Sequence, residues 1–364
     1  MNIAIIVDDL IQRGGQEDIL AAISEIWPHA PIYTSQASEF WKGFYKKRGV
    51  KLVTSFMQRL PFAQKLNRYY SPFLLHVLAF ERFDLSAYDV VLSVSSRYAH
   101  FVVCKPTSLH ICYMNSPGRM FWEPHDYFSN EKFKSLRSVL AWPLTYLRAN
   151  DYVASQKIDH IVANSVNSQR RVLKYYRRKS VVIYPFVDTA KFEVGRNGGY
   201  FVLITRLAAW KRVDIAVVAC TKLGIKLKII GVGSVTQQLK KIAGPTVEFL
   251  GYAESEKNDV LQNCTALIQT QAEDFGIVPV EAMACGKPVI AYGAGGVLET
   301  VQEGITGEFF YKQTAESLMK LLSKFDVTKF SQQDCVDRAK QFGVEIFKNR
   351  LLTFVHDRHK ETIV

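Results

Sequence analysis

Short apolar runs rich in β-branched residues recur along the chain, separated by stretches whose apolar positions return every three or four residues. In the second half, residues 201–205, 227–230, 247–250, 266–270 and 289–292 have the length and composition of buried strands, and amphipathic helical patterns fill the gaps. One helix between successive strands predicts a parallel sheet with helices wound on both faces. The first half repeats the pattern less regularly, with strands expected at 3–7, 90–93, 109–113, 158–163 and 181–184. Residues 185–199 interrupt the periodicity with proline, glycine and polar positions, which marks a linker.

The expected fold class is therefore α/β, two Rossmann-like doubly wound domains. The expected division is residues 1–185, residues 186–340, and a C-terminal helical segment, 341–364, packing back on the first domain.

Composition narrows the function classes. With 48% hydrophobic and 22% charged residues in 364, the chain can fill two cores and is not of the disordered kind. Of the net charge of +12, ten units fall in residues 1–185, so one half would attract phosphates on a lipid surface, a substrate or a nucleic acid. The six cysteines are widely spaced and mostly flanked by apolar residues, as buried reduced thiols are. The opening residues 1–9 read as a strand closed by two acids rather than a signal peptide. The most apolar later stretches, 72–80 and 139–147, fall short of the roughly 20 residues of a membrane span. The expected location is cytoplasmic, with peripheral attachment to the inner face of the membrane.

Candidate chemistry concentrates after the predicted strands, where ligands bind in open parallel sheets. Glu273-Asp274-Phe275-Gly276-Ile277-Val278-Pro279-Val280-Glu281 precedes a helix that Pro279 should open and that Gly286 and Pro288 should close. On that reading Glu281 falls in the first turn. The carboxylates of Glu273 and Glu281 would accept from sugar hydroxyls, and the 275–278 backbone would donate to hydroxyl or phosphate oxygens. Two acids stabilising a helix N-terminus is the alternative account.

Gly293-Ala294-Gly295-Gly296 and Gly231-Val232-Gly233 are further loops whose backbone could approach a diphosphate, or simply tight turns. Arg206 and Lys211 follow the first strand of this half, a fork of donors and a compact cation suited to the same charge. In the first half, Arg13-Gly14-Gly15-Gln16-Glu17 leads from a strand into a helix and offers a phosphate contact at Gly15, or an ordinary turn. His160, in an apolar strand, reads as a core residue. The sequence has no zinc-protease motif, Walker loop, nucleophile elbow or Asp-x-Asp metal pair, so no cofactor and no metal are expected.

Taken in order, these residues resemble the retaining glycosyltransferases of family four, over almost the whole chain. The carriers are Glu273 and Glu281 seven residues apart, Arg206 with Lys211, and Gly295-Gly296-Val297-Leu298-Glu299. Further matches at residues 79–89, 162–165 and 182–188 are similar to a subgroup of bacterial lipopolysaccharide mannosyltransferases.

The resemblance implies the GT-B architecture, in which two Rossmann-like domains face a cleft. It implies that Glu273 and the 275–278 backbone, with Asp274, hold the donor sugar. Glu281 then holds the ribose, and Arg206 with Lys211 holds the diphosphate, the glycine loops at Gly231, Gly233, Gly295, Gly296 and Gly15 lying alongside. The implied donor is a nucleotide diphosphate sugar, with GDP-mannose first. The implied acceptor is a glycan or a polyprenyl-diphosphate-linked saccharide for cell-surface polysaccharide. At Asn115, before Ser116-Pro117, related enzymes usually carry a histidine that contacts the donor sugar, and Phe186 stands where a proline is usual.

Two rival readings remain open. A nicotinamide-dependent dehydrogenase could use the same fold, but Thr236 replaces the third fingerprint glycine. A nucleic-acid or anionic-surface binder would use the basic half and residues 175–179 and leave Glu273 and Glu281 without a role, so no nucleic-acid partner is expected. An anionic membrane surface is the expected docking partner, through residues 56–70 with Arg59, Lys65 and Arg68.

Overall fold

The computed structural model describes all residues except 13, 68–69, 71–72, 124–136, 254 and 364. The chain divides into two compact units, Met1–Tyr184 with Phe347–Val364, and Pro185–Ile346.

The first unit carries a seven-stranded sheet of β1 (Ile3–Val7), β2 (Ile32–Thr34), β3 (Leu52–Thr54), β4 (Val90–Ser95), β5 (Leu109–Met114), β6 (His160–Ala163) and β7 (Val181–Val182). The spatial order is β3-β2-β1-β4-β5-β6-β7, and every pairing is parallel. β1 sits mid-sheet with both faces covered, so all five of its residues are apolar and buried. Truncating Ile5 or Ile6 to Ala would remove about 2–5 kcal/mol of stability.

The second unit carries β8 (Phe201–Ile204), β9 (Leu227–Ile230), β10 (Val247–Gly251), β11 (Leu267–Gln269), β12 (Val289–Tyr292) and β13 (Gly307–Phe310). Their order is β10-β9-β8-β11-β12-β13, again all parallel. A core of Leu203, Ile215, Val217, Ile229, Ile268, Ile290 and Phe310 fills one side. The chain winds outward from β8 to β10 and then returns to the other side of β8 to start β11. Such reversals leave a crevice at the strand ends.

β2, β3 and β13 are absent from the pattern-based reading. The sequence expects His160 in a strand core, and the structure places it half-buried at the start of β6, edge-on to Phe354 at 6.1 Å. Within residues 56–67 a 3-10 turn, Phe56–Arg59, is followed by turns. There Met57, Ala63 and Asn67 are buried, whereas Arg59, Phe62 and Lys65 are exposed, and Arg68 lies outside the described residues. Five cysteines are buried and Cys104 is half-buried, all with free thiols. Among the described residues no helix is long and apolar enough to cross a membrane.

Candidate functional site

In the second unit, four loops at the C-terminal strand ends carry the sequence-predicted residues. Arg206 and Lys211 follow β8, Gly231 and Gly233 follow β9, Glu273 to Gly276 follow β11, and Gly295 and Gly296 follow β12.

Arg206 is exposed, and its guanidinium has no hydrogen-bond or ion-pair partner among the described residues. Lys211 ends a 3-10 turn, Ala209–Lys211, and is only 7% exposed. Its ammonium pairs with Glu273 Oε1 and lies 4.0 Å from the centre of the Trp210 ring. The side-chain amide of Gln271 donates to the same oxygen at 3.0 Å. Thr270 Oγ1 donates to the Lys211 carbonyl at 2.9 Å, so the loops after β8 and β11 are tied by backbone as well as charge.

The glycines have a packing reason. Gly295 forms a parallel bridge with Glu273 at φ +79°, and a Cβ there would lie 2.4 Å from the Glu273 carbonyl oxygen. Gly296 N–H donates to that carbonyl at 2.9 Å, and its own Cβ would meet the Asp274 and Phe275 backbone at 2.4 Å. Gly231 and Gly233 likewise press against the carbonyls of Thr205 and Leu207, at 1.9 and 2.1 Å for an added Cβ. These glycines thus bring the loops together in two pairs, after β8 with after β9 and after β11 with after β12, which accounts for them without a ligand at their α-carbons.

The helix after Glu273 runs Ile277–Ala284 from Gly276, which takes φ +90° as N-cap. Pro279 is its third residue, not its first, because any of the first four positions tolerates a missing N–H. Glu281 is therefore the fifth residue, in the second turn rather than the first. At the other end Gly286 adopts φ +71°, its N–H donates to the Met283 carbonyl, and Lys287 N–H donates to Ala282 at 2.9 Å, a Schellman closure. Ile277 and Val278 keep backbone N–H groups at the helix start, while the Phe275 ring is core, 5.5 Å from Phe342.

Glu281 is 12% exposed at its side chain and is held by Lys257 from helix Lys257–Gln262, at 2.7 Å to Oε1 and 2.6 Å to Oε2. Lys257 and Gln271 are absent from the sequence reading; nothing in their local pattern sets either apart from other surface polar residues.

In the first unit, Gly15 begins helix Gly15–Ile26 at the end of β1, and Asn115 follows β5. Asn115 donates to Ser96 Oγ at 3.2 Å, Ser96 Oγ donates to Gln16 Oε1 at 2.7 Å, and Asp8 accepts from the Ser96, Tyr98 and Ala99 backbone at 2.7–2.8 Å. Arg13 lies outside the described residues. Glu17, one residue beyond Gln16, is 3% exposed. Burial raises its carboxyl from 4.5 to about 8, and the like charges of Asp9, Asp18 and Asp8 add to this against a backbone hydrogen bond.

The family model of glycosyl transferases group 1 matches residues 186–342. Human alpha-1,3/1,6-mannosyltransferase ALG2 is 29% identical over 242 residues, 62% of this chain and 54% of that protein. An uncharacterised glycosyltransferase of Methanocaldococcus jannaschii is 25% identical over 202 residues, 53% of this chain and 58% of its own. The chain thus spans a little over half the length of these curated relatives. The Anabaena protein HepE in complex with UDP superposes with a TM-score of 0.71 at 18% identity, over 98% of this chain and 100% of that one. Sucrose-phosphate synthase from Thermosynechococcus elongatus gives 0.73 at 16%, with the same coverage. The likeness shows the shared fold, GT-B.

Proposed function

From the premise that this chain belongs to the group 1 glycosyltransferases, we propose that it moves a hexose from a nucleotide diphosphate sugar to a glycan or polyprenyl-diphosphate-linked acceptor, with retention at the anomeric carbon. The observation that carries the reading is the Lys211–Glu273 pair, in a loop that also carries exposed Arg206, where the second sheet reverses direction.

A departing nucleoside diphosphate develops negative charge on its terminal phosphate. Arg206 offers a fork of donors and Lys211 a compact cation, set before the reaction begins, so they stabilise that charge without reorganisation. Glu273, anchored by Lys211, by Gln271 and by the Gly295 bridge, accepts from sugar hydroxyls and fixes the ring. Ile277 and Val278 present backbone N–H groups, and Glu281 takes the ribose. No side chain is assigned as nucleophile or general base, and no metal is required by these steps.

The mannosyltransferase named among the relatives supports mannose as the first sugar to test, as the GDP-mannose that the sequence resemblance implies, and the Anabaena complex with UDP-glucose supports that donor as the second. The first unit would hold the acceptor, with Asn115 near the donor sugar. Exposed Phe62 and Phe73, 72% and 71% accessible and flanking Lys65, support docking on an anionic membrane surface, at the cytoplasmic face.

A thermal-shift screen of free nucleoside diphosphates and nucleotide sugars tests the donor, because a ligand selective for the folded state raises stability. Glu273→Gln should lower transfer on the order of 100-fold while the protein stays folded. Near-normal turnover in that variant overturns the assignment. The anomeric configuration of the product by NMR tests retention.

A further inference from the structure

We propose that Lys257 is a positioning residue for the nucleotide ribose, acting through Glu281. The proposal rests on the reading of Glu281 as the ribose acceptor.

The ammonium of Lys257 contacts both oxygens of one carboxylate, at 2.7 and 2.6 Å. Each carboxylate oxygen has two acceptor sites. The ammonium takes one site on Oε1 and leaves the other there for a hydroxyl donor, and its approach to Oε2, which is buried without a hydrogen-bond partner among the described residues, fixes the plane of the carboxylate. A ribose hydroxyl can donate to the site left on Oε1.

The pair is not needed to hold its own helix. Val260 and Leu261 are buried beneath Lys257–Gln262, Tyr200 donates from its hydroxyl to the Val260 carbonyl at 2.9 Å, and Gly198 N–H donates to Asn263 at 2.8 Å. Lys257, at the first helical position, is committed to Glu281 instead. Without it, a carboxylate with a side chain only 12% exposed would lose hydration with nothing in exchange and would be free to rotate. The second unit therefore uses one lysine per glutamate: Lys211 for Glu273 and Lys257 for Glu281.

The test is binding of GDP and UDP, each beside its 2′-deoxy and 2′,3′-dideoxy forms, to the wild-type chain and to Lys257→Met, Lys257→Arg and Glu281→Gln. Wild type should prefer the ribose forms about tenfold or more, as hydrogen bonds to a charged acceptor require. Lys257→Met should weaken ribonucleotide binding about tenfold and change dideoxynucleotide binding less than twofold, and Lys257→Arg should restore most of the preference. In transfer assays the loss should appear in KM with kcat nearly unchanged.

Equal weakening of ribo and dideoxy forms in Lys257→Met marks a merely structural tether and overturns the proposal. A preference lost in Glu281→Gln yet intact in Lys257→Met overturns the role of Lys257 alone. No preference in wild type, or no binding of either nucleotide, overturns the reading of Glu281 itself, and the role of Lys257 with it.

Discussion

Ionising Glu17 should destabilise the first unit by an amount set by its environment. Its carboxyl titrates at 4.5 when free and at about 8 when folded, so between these values the folded state holds a proton that the unfolded state has released. Stability therefore falls as pH rises across that window, by about 1.4 kcal/mol per unit. The deficit reaches about 3 kcal/mol at pH 7 and approaches about 5 kcal/mol above pH 8. Glu17→Gln keeps the shape and removes the proton, so the variant should match wild type near pH 4.5 and exceed it by about 4 kcal/mol near pH 8.

Urea unfolding of both proteins at pH 5, 6, 7 and 8 measures the difference. Only the difference isolates Glu17, because buried His76 and His110, lowered by burial to about 4 and about 3, change stability in the opposite sense below pH 6.5. A difference that stays flat, or that shrinks as pH rises, refutes the account. The functional stake is local: Glu17 follows Gln16, the partner of Ser96 and through it of Asn115.

Gly295→Ala should lower transfer between about 10- and 100-fold by driving the Glu273 carbonyl away from a Cβ at 2.4 Å, measured as initial rate on folded protein. Gly304→Ala is its control, with φ +76° but open space around the added carbon, and should cost about 1 kcal/mol in melting experiments while leaving rates unchanged. Liposome flotation should find the chain on anionic vesicles at low salt and lose it when Phe62 and Phe73 become Ser, with Arg59 and Lys65 substitutions steepening the salt dependence. Binding indifferent to all four changes would place the membrane surface elsewhere or nowhere.

Much of the second unit was legible because its strands are short β-branched runs, each followed by one amphipathic helix. β13 was not, since Gly307-Glu308-Phe309-Phe310 starts with a glycine straight out of a turn and carries an acid. β2 and β3 are three residues each, too short for any period to register. The start of the helix after Glu273 was misplaced by two residues because proline marks a region of a helix start, not a single position. The glutamates themselves stood out by spacing, whereas their lysine partners lie 62 and 24 residues away in sequence, and local pattern does not reveal partners that only the fold brings together. Glu17 was visible as an acid in a first turn, but its burial beside Asp8 and Asp9 depends on how the first sheet is wound.

The second unit begins and ends at one place: Val187 and Gly343 form a parallel bridge, and Val187 N–H donates to the Phe342 carbonyl at 2.8 Å. It is one continuous segment, whereas the first unit is built from residues 1–184 and 347–364. Leu351 and Val355 are fully buried there, Phe347 meets Tyr113 edge-on at 5.7 Å, and Lys348 pairs with Glu25 at 2.8 Å. On a translating ribosome, then, the segment made later can finish folding first, while the earlier sheet waits for residues 347–364 to emerge. Release of a chain stopped near residue 346 should yield a sound second unit attached to an unfinished first one, prone to aggregate through the uncovered Tyr113 face.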